Sequence, residues 1–179
     1  MIFFKKNKDD HFDLYYKIVN ISREESFYSD YEVPDTTDGR FEILLLHLII
    51  LIRKLKRESL EHVSQAIVDL MFSSIDLSFR EEGVGDLSIP KKMKKVGMVF
   101  YGRSTSLDQI LEVDDYSTMS NLLVDYFIRN MFSSDDKFKR RADELSQYTI
   151  RFEEALKKVS IKDIPSLNLH AIVQQTYPN

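Results

Sequence analysis

The sequence predicts an all-α protein, a single compact multi-helix domain of about six to eight helices with no sheet. Three observations carry this. Apolar residues recur at spacings of three and four, the helical period, not two. Turn formers are scarce, 5 Gly and 4 Pro in 179 residues, which argues against a strand-rich sandwich. The longest apolar run, Ile43 to Ile52, is interrupted only by His47. At half of the roughly 20 residues a bilayer span needs, it suits a buried helix. Residues 1–179 read as one domain, with a helical core over 10–160 and peripheral tails at 1–9 and 165–179.

Phe12, Tyr15, Tyr16 and Val19 share one helical face, and Asp9 or Asp10 can cap its start, so the first helix is expected over about 10–28 with a sticky aromatic side. Residues 29–38 collect cap and turn formers around Pro34, which biases Val33 away from helical geometry. A loop is expected there. Thr36, Thr37 or Asp38 then caps a central helix running to Arg57. From Ser59 the next long helix carries Leu60, Val63, Ile67, Leu70 and Met71, and Gly83-Val84-Gly85 stops it. Asp86 to Pro90 supplies a cap and a first-turn proline, opening a helix expected to end near Tyr101 at Gly102. Shorter helices are expected over Leu107–Val113 and Thr118–Met131, and a final long one from Asp136 to about Val159.

Composition narrows the function classes. Cysteine is absent, which removes disulfides, thiol nucleophiles and cysteine metal sites. The net charge of −4 does not by itself suggest a nucleic-acid binder. Charge begins at Lys5, after three apolar residues following Met1, so a secretory segment is not expected and a cytoplasmic location is. His11, His47, His62 and His170 are scattered without metal-site spacing. His47, inside the apolar run, reads as a core histidine with one satisfied hydrogen bond. Asp69, Asp76 and Arg80 share a face, Asp76 and Arg80 as a favourable i, i+4 ion pair. Gly83-Val84-Gly85 lacks the third glycine of a dinucleotide fingerprint. No enzyme activity, metal or cofactor is expected.

Three basic clusters stand out: Arg53, Lys54, Lys56 and Arg57; Lys91, Lys92, Lys94 and Lys95, followed by Arg103; and Lys137, Lys139, Arg140 and Arg141. Each reads first as a solvated helical face. The second has no acidic residue from Ile89 to Arg103, a positive stripe suited to ribosomal RNA, anionic headgroups or an acidic partner.

Several strings, in order and spacing, carry a family resemblance: Pro34-Asp35-Thr36-Thr37-Asp38-Gly39-Arg40-Phe41-Glu42, Leu46-His47, Arg80 through Ser88, Lys91-Lys92-Met93-Lys94-Lys95 and Phe100-Tyr101-Gly102-Arg103. Over about residues 33–130 the chain resembles the ubiquinol-cytochrome c chaperones. The resemblance implies an all-helical protein that binds newly made cytochrome b and supports assembly of respiratory complex III. It also implies a small assembly partner and a place near the ribosomal exit tunnel, while contact with the ribosome or the inner-membrane surface is expected through the basic stripe. The absence of a presequence is expected to place the chain in the bacterial, cytoplasmic branch. A holder of an apolar client needs a hydrophobic groove with polar rims, which the first helix's aromatics and Met71, Met93, Met98, Met119 and Met131 are candidates to line. Gly39, Gly83, Gly85 and Gly102 are expected to meet backbone requirements. Arg40, Glu42, Asp76, Arg80, Asp86, Tyr101 and Arg103 are expected to form a polar network or partner surface, beside Lys91, Lys92, Lys94 and Lys95. Two rival readings are an adaptor binding nucleic acid or the ribosome through the lysine helix, and a metal-dependent hydrolase on Asp69, Asp76 and Glu42. Specific DNA binding is not expected.

Overall fold

Apolar stripes set the helices, and capping residues set most of their ends. The computed structural model describes residues 10–168 and residue 171. Its helices are α1 (Asp10–Ser22), α2 (Ser26–Ser29), α3 (Thr37–Arg57), α4 (Glu61–Glu81), α5 (Ile89–Ile110), α6 (Tyr116–Asn130) and α7 (Lys139–Lys158). Short 3-10 helices lie at Asp136–Phe138 and Ile161–Ser166, and no strand occurs among the described residues. The architecture is all-α in one compact domain.

The expected first helix breaks after Ser22. Ser22 Oγ donates back to the Ile18 carbonyl at 2.8 Å, and the N–H groups of Arg23 and Glu24 close turns on Asn20 and Ile21. Beyond the break Phe27 and Tyr31 are fully buried, and Phe27 packs edge-on to both His47 and Tyr148. Burying such a ring contributes about 2–3 kcal/mol, more than the roughly 1 kcal/mol net of a lost backbone hydrogen bond. The aromatic face is divided accordingly, Tyr15 buried but Phe12 and Tyr16 exposed. Capping by Asp9, or by the Asp10 side chain, lies outside the described residues.

Thr36 caps α3, its Oγ1 accepting from the Gly39 N–H at 3.1 Å. Gly39 is required: a Cβ there would collide with the Pro34 carbonyl oxygen. From Leu45 to Leu55 every residue of α3 is buried, because α1, α4, α5 and α7 all pack around it. At about 1.5–3 kcal/mol per buried Leu or Ile, this helix anchors the core. Ser59 turns the chain through a left-handed φ of 57°, so α4 starts at Glu61, two residues later than expected. Gly83, at φ 79°, takes the left-handed position that closes α4.

The helix expected to stop at Gly102 does not. It continues to Ile110 and absorbs most of the separate Leu107–Val113 helix. A mid-helix glycine disfavours helix by only about 1 kcal/mol. Burial of Phe100, Leu107 and Ile110 outweighs that. Asp115 caps α6, accepting from the Thr118 N–H at 2.7 Å, and α6 pairs extensively with α7. Ala142, Leu145 and Phe152 of α7 are buried as their spacing predicts. Among the described residues no helix is long and apolar enough to cross a membrane.

Candidate functional site

Helices α1, α3, α4 and α5 leave a groove of about 670 Å³ between them. Each lines it with a stripe at helical spacing: Tyr15, Val19 and Ser22 from α1; Thr37, Phe41 and Leu44 from α3; Ile75, Ser78 and Phe79 from α4; Lys92, Lys95, Val96 and Val99 from α5. The floor is apolar and aromatic. Charge gathers at the rim, where Arg23, Arg40, Lys92 and Lys95 outnumber Asp38 and Glu82.

The rim cations partly cover the aromatic wall. The Arg40 guanidinium lies 5.6 Å from the Tyr28 ring centre and pairs with Asp35, while Lys92 Nζ stands 5.0 Å over Phe79. Tyr28 donates its hydroxyl proton to the Ser22 carbonyl at 2.8 Å, which braces the turn between α1 and α2. Burial pushes the phenols of Tyr15 and Tyr28 above their ordinary range, so both walls stay uncharged at neutral pH. Apolar surface, bordered by positive charge, is what this groove offers a ligand.

The predicted site residues do not form one network. Arg40, Lys92 and Lys95 reach the groove. Glu42 and Arg103 make a bidentate pair at 2.7–3.1 Å that ties α3 to α5 and is largely shielded from solvent. Arg80 sits between Asp76 and Asp86, at 2.7 Å from each, clamping the connection from α4 to α5. Lys91, Lys94 and Tyr101 point to solvent.

Other expectations are corrected. Among the described residues no methionine lines the groove: Met71 and Met131 are core, and Met98 is exposed elsewhere. Gly85 and Gly102 have open space around them and no left-handed φ, so neither meets a backbone requirement. The cluster on α3 is no solvated face. Arg53 and Lys54 are buried; Arg53 Nε donates to Glu153 at 3.1 Å, Nη2 to Glu112 at 2.7 Å, and Nη1 to Asp108. Arg57 joins Glu153 at 2.6 Å. In the third cluster Lys137, Arg140 and Arg141 are ion-paired.

His47 has more than the one bond expected. Its Nε2 meets the Tyr148 hydroxyl at 2.6 Å, and its Nδ1 lies 2.8 Å from the Ile43 carbonyl and 3.1 Å from Ser22 Oγ. Burial lowers its pKa to about 4, so it is neutral and structural at pH 7. The carboxylates of the hydrolase reading are not gathered: Glu42 binds Arg103, Asp76 binds Arg80, and Asp69 accepts from Gln65 at 2.8 Å. Among the described residues no three His, Asp or Glu side chains are grouped to hold a metal ion.

Leu44, Ile75, Phe79, Val96 and Val99 are among the lining residues that sequence reasoning did not single out. Their signal was present as four stripes, 15/19/22, 37/41/44, 75/78/79/82 and 92/95/96/99, each mixing apolar with polar residues. A stripe bound wholly for the core has no such mixture.

With the geometry in hand, comparison with known proteins agrees. A sequence profile of the ubiquinol-cytochrome c chaperones matches residues 29–170. The crystal structure of the Cbp3 homolog from Brucella abortus superposes with a TM-score of 0.76 at 31% identity, covering 89% of this chain and 87% of that one. No curated protein matches the sequence significantly. The fold and the extent of the profile match together show that this chain belongs to the ubiquinol-cytochrome c chaperone family.

Proposed function

We propose that the chain is an assembly chaperone of respiratory complex III that holds an apolar segment of newly made cytochrome b in the groove between α1, α3, α4 and α5. Family membership supports the assembly role, and one observation carries the holding site: an open groove of about 670 Å³ with an aromatic and aliphatic floor. An apolar helix or extended segment lays its side chains into such a groove by burying area, with no bond made or broken. The polar rim keeps the empty groove in water and limits self-association. The work is done on the cytoplasmic side, before the client is complete.

The test is genetic and chemical. Deleting the gene in its host is expected to deplete assembled complex III on native gels and to lower haem b in difference spectra, both restored by plasmid. A Val96→Glu plasmid, which places charge on the groove wall, is expected to restore neither while the protein accumulates normally. Undiminished complex III in the deletion strain would overturn the assembly role; full rescue by Val96→Glu would overturn the groove as the holding site.

A further inference from the structure

We propose that the outward face of α5, together with the loop that precedes it, is a docking surface for an anionic lipid bilayer. The reading does not depend on what occupies the groove. Lys91, Lys94, Lys95, Met98 and Tyr101 lie at helical spacing on one face, within about 15 Å of helix length. Among the described residues Lys91, Lys92, Lys94 and Lys95 make no ion pair, and Lys92 stands over the Phe79 ring. From Leu87 to Leu107 the chain has no acidic residue, and Asp86 just before is held by Arg80.

Charge alone would suit any polyanion; the apolar residues on the same face decide the class. Leu87 is 98% exposed at the loop, Met98 69% and Tyr101 62% along the helix. A leucine so exposed loses nothing by leaving water and gains on entering the interfacial region of a bilayer, where lysines meet headgroup phosphates. The loop is built to present it: Gly83 makes the left-handed turn, and Arg80 clamps Asp86 immediately before Leu87. Nucleic acid would favour arginine forks. The one arginine on this stretch, Arg103, is committed to Glu42. Because Lys95 belongs both to this face and to the groove wall, docking sets the α5 side of the groove close to the headgroups.

The experiment is sedimentation of the purified full chain with vesicles of phosphatidylcholine, alone or mixed with phosphatidylglycerol. Binding is expected only to the mixed vesicles. Lys91→Gln with Lys94→Gln is expected to weaken it about 25-fold, about five-fold per lysine. Leu87→Ser, which leaves charge unchanged, is expected to weaken it about ten-fold and to abolish what binding survives high salt. Thermal melts of all variants should match the parent, since the substituted side chains are exposed. Equal binding by the lysine variant, or co-sedimentation with ribosomes but not with anionic vesicles, would overturn the proposal.

Discussion

The two sides of α3 solve the problem of buried and exposed charge in opposite ways. Toward α7, polar groups are matched: His47 to Tyr148, Arg53 and Arg57 to Glu153. Toward α1, α4 and α5 the helix faces a groove, and the lysines of α5 beyond it have no acidic partner among the described residues. A saturated side contributes stability and has little left with which to recognise anything. The groove side carries fewer such pairings, Glu42 with Arg103 and Arg53 with Asp108, and keeps the rest of its surface for a ligand.

The comparison is broken most severely at Arg53. Arg53→Met leaves the buried Glu153 carboxylate to Arg57 and strips Asp108 and Glu112 of their shared partner, an expected loss of about 2–3 kcal/mol in urea unfolding. The double variant Arg53→Met with Glu153→Leu should recover more than half of it. Second is pH. The pKa of His47 falls from about 6.5 unfolded to about 4 folded, so its contribution is complete above pH 6.5 and is lost as pH falls through 4. The expected decline is about 2 kcal/mol by pH 5, and a His47→Leu variant should lack this portion of the pH slope whatever its absolute stability.

Glycines sharpen the contrast at smaller scale. Gly39→Ala forces the start of α3 away from the Pro34 carbonyl, with an expected loss of about 2 kcal/mol. Gly102→Ala, in open space on α5, should instead raise stability by about 0.5–1 kcal/mol, seen as a higher urea midpoint. Smallest of all, Lys91→Gln with Lys94→Gln should leave stability within about 0.5 kcal/mol, which a stripe engaged in structure would not allow.

How much of this was legible follows the range of the interactions. The central helix and a cap within Thr36–Asp38 could be read because periodicity and capping are local, and the structure selects Thr36 of the three. The extent of α5 could not, because Gly102 looks like a stop until the burial of Leu107 and Ile110 beyond it is known. The break after Ser22 depends on where Phe27 and Tyr31 find partners, among them a tyrosine on α7. Arg53 looked solvated because Glu153 is a hundred residues away in sequence. The groove residues were each visible as stripe members, but four helices must be brought together before those stripes enclose a space.

The order in which these parts leave the ribosome has a consequence. Every described residue that lines the groove lies between Tyr15 and Val99, whereas Tyr148 and Glu153 arrive only with α7. The groove-forming helices are therefore synthesised first, around a central helix whose His47 and Arg53 still lack their partners. A domain folds as a unit, so the helices made first hold the groove firmly only when α7 supplies these partners. A nascent chain stalled before α7 would display a groove it cannot yet hold rigid, and completing the last helix is what makes the receptor durable.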